Sequence, residues 1–164
     1  MGIGHVQVLN KGISFVTAVQ AHNLGDRVMY GGDEYIYMYN KNTATAKAGY
    51  AVYLSAATSY SFMMQSATTD VDVACGIIKH VDIPYQEYGW VLVKGICDVV
   101  AGLNTGLAQG DKLIMVSTTN TGNISRKTQN TYFSNIVGEP NPFGVMLQVA
   151  ATAAAGAAQI WGTF

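Results

Sequence analysis

Residues 89–100 read GWVLVKGICDVV, the longest strand signal in the chain. Side chains alternate across a strand with a period of two. Val91, Val93, Gly95, Cys97 and Val99 therefore share one face, and Trp90, Leu92, Lys94, Ile96 and Asp98 the other. The first set is apolar and mostly branched, so it is expected to face a core, whereas the second is mixed. Gly95 predicts a bulge, because a glycine inside a strand weakens it and often marks a bend or a close backbone approach.

The same rhythm continues outward from this run. Residues 26–30 (DRVMY) and 34–39 (EYIYMY) flank Gly31-Gly32-Asp33, a hairpin signal in which the glycine pair supplies positive φ. In the second arm Ile36 and Met38 face a core. Tyr35, Tyr37 and Tyr39 share an amphipathic face that suits a core rim or an interface. Residues 49–54 (GYAVYL) read as a strand, and residues 71–78 alternate Val71, Val73, Cys75 and Ile77 against Asp72, Ala74, Gly76 and Ile78. DKLIMV at 111–116 follows a Gln109-Gly110 turn, and Gly144–Val149 and Ala157–Phe164 close the chain across an Ala/Gly loop. A polar stretch rich in Ser, Thr and Ala occupies 55–70, and the long segment Ser117–Asn135, which holds Arg126-Lys127, reads as a loop. A loop of that length tends to be functional or mobile. Leu24-Gly25-Asp26-Arg27-Val28-Met29 echoes Gln109-Gly110-Asp111-Lys112-Leu113-Ile114, which points to shared turn chemistry rather than duplication. Helical periodicity is nearly absent. The pattern predicts an all-β fold, a small sandwich or barrel of short, mostly antiparallel strands. Residues 24–164 form one domain, and residues 1–23 an extended N-terminal arm or first strand.

Composition narrows the function. The chain has 164 residues with 9 basic and 10 acidic side chains, and its charged fraction of 12% is about half the usual ~25%. Ten Tyr, five Phe and two Trp exclude a disordered chain. No three basic residues lie close together, as phosphate neutralisation requires, so direct nucleic-acid binding is not expected. So little charge favours association with copies or partners. The N-terminus lacks the pattern of a secretory signal. Residues 140–164 are uncharged, but Pro140, Asn141, Pro142, Gln148 and Gln159 argue against a membrane span. Cys75 and Cys97 fall on predicted core faces, as buried reduced thiols or, if their strands are neighbours, as a disulfide, and their spacing fits no zinc motif.

Chemistry is sparse. His80 and Asp82 are two apart and could share a strand face, but two ligands are half a metal site and no third is visible. Asp70 and Asp72 read as turn caps. GGDEY lacks the following helix that would aim amides at a phosphate, and no nucleophile elbow occurs. No enzyme activity, metal or cofactor is expected. Tyr85, Tyr88 and Trp90 cluster in PYQEYGW, as an interface hot spot, a sugar-stacking platform, or a turn packed by its own aromatics. The candidate interface set is Phe15, Tyr35, Tyr37, Tyr39, Tyr85, Tyr88, Trp90, Arg126 and Lys127.

From residue 88 to 113, YGWVLVKGICDVVAGLNTGLAQGDKL resembles the small virion proteins of tailed bacteriophages that decorate or cement the capsid. The pattern runs from a Tyr-rich strand and an alanine-rich approach to a Gly-x-x-Val strand, EYIYMYNKNTATAKAGYAVYL at 34–54, to a Gly-Ile run, CGIIKHV at 75–81. Tyr88-Gly89-Trp90-Val91 and the turn Ala108-Gln109-Gly110-Asp111-Lys112-Leu113 follow. Gly144-Val145-Met146-Leu147 and the alanine-rich residues 150–158 end it. The resemblance spans residues 24–164 in order. It implies a β-rich domain made in the host cytoplasm and docked on the outer surface of the head. There it would bridge subunits of the major capsid protein as a homo-oligomer, a trimer preferred, with no cofactor, direct nucleic-acid contact or membrane. Extended segments suit such binding, and Met1–Leu24 and Ser117–Asn135 are the expected contact elements. The alternative is a carbohydrate- or host-surface-binding β-sandwich that uses Tyr85, Tyr88 and Trp90. A lipoyl- or biotinyl-carrier barrel is set aside, because Lys79 and Lys94 sit inside predicted strands and only Lys47 lies in a loop.

Overall fold

Two glycines set the first hairpin. Strand β1 (Arg27–Tyr30) and strand β2 (Asp33–Asn40) are joined by Gly31-Gly32 alone, at φ 61° and 89°. Positive φ at both central residues matches the right-handed twist of the strands it joins. Asp33 is therefore the first residue of the ladder, opposite Tyr30, rather than part of the turn. The computed structural model describes residues 12–54, 60–63, 74–101, 106–115, 124–126, 143–151 and 154–161.

The remaining strands are β3 (Ala51–Leu54), β4 (Ser61–Met63), β5 (Ala74–Ile77), β6 (Tyr88–Val100), β7 (Lys112–Met115), β8 (Ile124–Arg126), β9 (Gly144–Met146) and β10 (Ala155–Trp161). Among the described residues there is no helix, and the fold is all-β. Strands β2, β4, β3, β5 and β6 close on one another, since β6 pairs back onto β2. The result is a five-stranded barrel with one parallel pair, β2–β4, and otherwise antiparallel pairing. From the second half of β6 the sheet continues as a wing in the order β10, β9, β7, β8.

Gly95 is where barrel and wing divide. Glu34 pairs with Lys94 but Tyr35 with Leu92, so Val93 is the extra residue of a bulge that lies beside Gly95, where a bulge was expected. Gly95 has φ 144°, and a Cβ on it would lie 2.0 Å from Asp33 Oδ1. The bulge switches which core the strand faces. Before it, Val91 and Val93 join Ile36, Met38, Val52, Phe62 and Ile78 inside the barrel. After it, Cys97 and Val99 join Leu107, Leu113, Ile124, Phe143, Ala158 and Ile160 in a second core beneath the wing. Trp90 and Leu92, on the mixed face, are also buried in that second core. The expected single inward face is thus corrected. Residues 89–93 are covered on both sides, and only Lys94, Ile96 and Asp98 open outward.

One turn recurs at the head of four strands. In Asn23–Asp26, Lys47–Tyr50, Pro84–Glu87 and Ala108–Asp111 the fourth N–H donates to the first carbonyl, at 3.0–3.2 Å. The third residue has positive φ: Gly25, Gly49, Gln86 and Gly110. That is the requirement of a type II turn. Each third N–H then donates to a neighbouring segment, at Tyr37, Ile78, Asn40 and Met146 respectively. The N–H of that same neighbour returns a bond to the fourth residue. In two copies the aspartate closes the turn: Asp26 Oδ2 accepts from Asn23 N–H at 3.0 Å and Asp111 Oδ2 from Ala108 N–H at 2.8 Å. The sequence echo is therefore turn chemistry, used to dock β1, β3, β6 and β7.

Strand β8 corrects part of the expected 117–135 loop. Ile124 is fully buried in the second core and pairs with Met115. Three strand residues around one apolar anchor are too few for periodicity to reveal. The rest of that loop, together with Asp70, Asp72, Val71, Val73 and residues 1–11, lies outside the described residues. Cys75 and Cys97 are free thiols, one in each core, and burial pushes each pKa up to about 12.

Candidate interaction surface

Strand alternation aligns the tyrosines of β2, and pairing with β6 sets them beside Tyr88 and Trp90. The result is a band of rings. Tyr39 stands 4.9 Å from Tyr88, Tyr37 6.1 Å from Tyr88 and 5.1 Å from Trp90, centroid to centroid. Such spacings are favourable for aromatic pairs. The band is covered by the protein's own chain. His22 packs edge-on to Tyr37 at 5.1 Å and lies 5.2 Å from Trp90, while Ile13 and Leu24 join the same core. Thr17 forms a two-way backbone bridge with Tyr88, and Ala21 N–H donates to the Tyr37 hydroxyl at 3.2 Å.

Three candidate interface residues are corrected, Tyr37 and Trp90 by this cover and Tyr35 by its packing with Asp33 and His80. Tyr35, Tyr37 and Trp90 (4% exposed) are interior. Tyrosine is amphipathic enough to sit in a core once its hydroxyl has a partner. Strand periodicity could not show that residues 13–24 would lie over that face. Phe15 is half-buried within the covering segment, and Tyr39 and Tyr88 are half-buried at the end of the band. Tyr85 is exposed at 46%, on the Pro84–Glu87 turn, where its hydroxyl accepts from Gln86 Nε2 at 3.2 Å. With Trp90 inside, the three-ring sugar platform is not presented. Arg126 lies on β8, and Lys127 is outside the described residues.

The polar groups of the barrel wall are spent on holding it. Asp33 pairs with the Lys79 ammonium, accepts from the Tyr35 hydroxyl at 3.2 Å and accepts from Ile96 N–H at 3.3 Å. It thereby ties β2, the segment after β5 and the bulge together. The Tyr35 hydroxyl also lies 2.7 Å from His80 Nε2. Burial and the Asp33 charge hold the Tyr35 phenol well above its ordinary pKa. Burial and the Lys79 ammonium lower that of His80, against an opposing pull from Asp33. Asp82 is engaged elsewhere, accepting from Ala48 N–H at 2.8 Å, so the His80–Asp82 pair does not converge. Among the described residues no three His, Cys, Asp or Glu groups converge as metal ligands would.

At the barrel end, buried Asn40 acts as a knot that sequence reading missed. Its Nδ2 donates to Ala44, Ile83 and Pro84 carbonyls at 3.1, 2.7 and 3.0 Å, and its Oδ1 accepts from Asn42 N–H at 2.9 Å. An asparagine ending a strand, with nothing else to mark it, carries no signal of this role.

One sheet face of the wing looks outward, as Met29 and Tyr30 on β1 also do. Lys94 stands opposite Trp161, Ile96 opposite Gln159, and Asp98 opposite Ala157, all on one sheet face. Val145 on β9 and Lys112 on β7 extend the Ile96 row. Ile96 and Trp161 are 50% and 41% exposed. Isolated exposed hydrophobics are ordinary, but two neighbours on one sheet face form a patch suited to contact. Among the described residues no helix is long and apolar enough to cross a membrane.

No protein-family model matches the chain, and no curated protein is significantly similar to it. Among solved structures, the crystal structure of the N base of head fiber gp8.5 of bacteriophage phi29 is similar over 77% of this chain and 93% of that one. Sequence identity is 14% and the TM-score 0.48. The similarity is one of partial backbone shape.

Proposed function

We propose that this protein is a structural component of a tailed-bacteriophage head. It sits on the outer surface of the shell as a homo-oligomer and bridges subunits of the major capsid protein. The observation that carries the reading is the ordered series of decoration-protein segments along residues 24–164. Those segments contribute β2, β3, β5, the start of β6, the turn before β7, and β9, all members of one continuous sheet.

Physical features support it. The described polar clusters, around Asp33 and Asn40, are engaged in holding strands together. Outward features include a broad sheet face, an exposed turn tyrosine, and Met29 and Tyr30 on β1. A cement protein needs only complementary area across a seam, on the order of 1,200–2,000 Å² for a stable contact. The test mixes the purified protein with capsids stripped of decoration and sediments them. The reading predicts uptake that saturates at a fixed number of copies per shell and raises the temperature at which the shell breaks. Protein that stays in the supernatant at every ratio would overturn it.

A further inference from the structure

The outer face of the wing has a symmetry of its own. Lys94, Ile96 and Asp98 stand in a row on β6, exposed and evenly spaced, with opposite charges on either side of the isoleucine. The two charges are four residue steps apart along the strand, about 13 Å at ~3.3 Å per residue. Directly beside them on β10 are Trp161, Gln159 and Ala157, in register with Lys94, Ile96 and Asp98.

We propose that this face docks a second copy of the same chain through a twofold axis that runs through Ile96 and Gln159. A half-turn about an axis lying in the face and perpendicular to β6 brings two such faces together with their strands reversed. It sets Lys94 of each copy against Asp98 of the other, and Ile96 against its own counterpart. The same operation places the bulky Trp161 over the small Ala157. One rotation thus satisfies charge and size together, as a self-complementary contact requires. Lys112 extends the same row and so meets its own counterpart across the axis, but three strands away from Ile96 it falls at the rim, where solvent screens the like charges. This contact is the self-association part of the proposed function, and it makes a dimer rather than the trimer implied by the resemblance.

The test is the mass of the full chain by light scattering across a concentration series. The expected result is twice 17.5 kDa at high concentration, falling on dilution. Asp98→Lys alone and Lys94→Asp alone each oppose like charges and are expected to weaken the dimer by roughly tenfold or more. The exchange variant carrying both changes restores the pairing and should return the affinity to near wild type. Circular dichroism checks that each variant folds; the sites are exposed on the strand. A mass of 17.5 kDa at all concentrations, a trimer, single reversals without effect, or an exchange variant that fails to recover would each overturn the contact. Shell uptake, measured in parallel, separates the two proposals. A monomer that still saturates shells overturns the twofold contact and leaves the decoration reading standing, and a dimer that ignores shells does the reverse.

Discussion

The two halves of β6 share one chain and have opposite surroundings. From Gly89 to Val93 every residue is buried, because the barrel interior lies on one side and the second core on the other. From Lys94 to Asp98 burial alternates, and one face looks out. The change falls at the Gly95 bulge, where the strand leaves β2 and takes up β10. A strand covered on both faces reads as a continuous apolar run, which is what GWVLV is; a strand with one open face alternates, as KGICD does. Barrel and wing are thus one sheet whose surroundings change within a single strand, beside Gly95.

The harshest way to break the comparison is to fill that residue. Gly95→Val places a side chain into the Asp33 carboxylate and forces a left-handed φ on a branched residue. A loss of about 4 kcal/mol or more is expected, enough to prevent accumulation of folded protein. Denaturant unfolding of Gly95→Ala, the milder form, should already show most of it; near-wild-type stability would contradict the account of the bulge.

A gentler probe sets a barrel isoleucine against a wing isoleucine. Ile36→Ala empties space in the closed core and should cost roughly 2–5 kcal/mol. Ile96→Ala, at the exposed face, should change monomer stability by no more than about 0.5 kcal/mol. Urea midpoints at a concentration low enough to avoid association compare them, and similar losses at both sites would erase the proposed division.

The smallest effect concerns pH. His80 has its pKa lowered in the folded protein relative to an ordinary value of about 6.5, so the unfolded chain binds the proton more readily. Its contribution to stability is therefore present above that value and is lost as pH falls below it toward the folded pKa. The facing groups are Lys79, Asp33 and Tyr35. A melting temperature that falls between pH 7 and pH 5 in the wild type, and falls less in His80→Gln, is the expected outcome; identical slopes would remove His80 from the effect.

The sequence displays the strands of this fold well where one side is open or a glycine marks the turn, as at Gly31-Gly32, Gln109-Gly110 and Gly95. It hides what depends on distant cover. Nothing in EYIYMY shows that Tyr37 would be roofed by residues 13–24 or that Tyr35 would be closed in by Asp33 and His80, and nothing in PYQEYGW shows that Trp90 would be buried while Tyr85 stays exposed. The wing face is half visible in the sequence, since Lys94, Ile96 and Asp98 make a mixed face. Its partner row on β10 required the register. Strand β8 and the Asn40 knot left no pattern, because three residues make no period and a polar side chain does not announce its acceptors.

The most direct test of the division between covered aromatics and an open wing uses the two tryptophans. Trp161→Phe leaves Trp90 as the sole reporter, and acrylamide quenching then measures its access to solvent. The account predicts blue-shifted emission that acrylamide barely quenches and sugars do not alter, with the red-shifted, quenchable part of the wild-type signal gone. Red-shifted, readily quenched emission from Trp90 would contradict it, and would return the aromatic band to the surface as a binding platform.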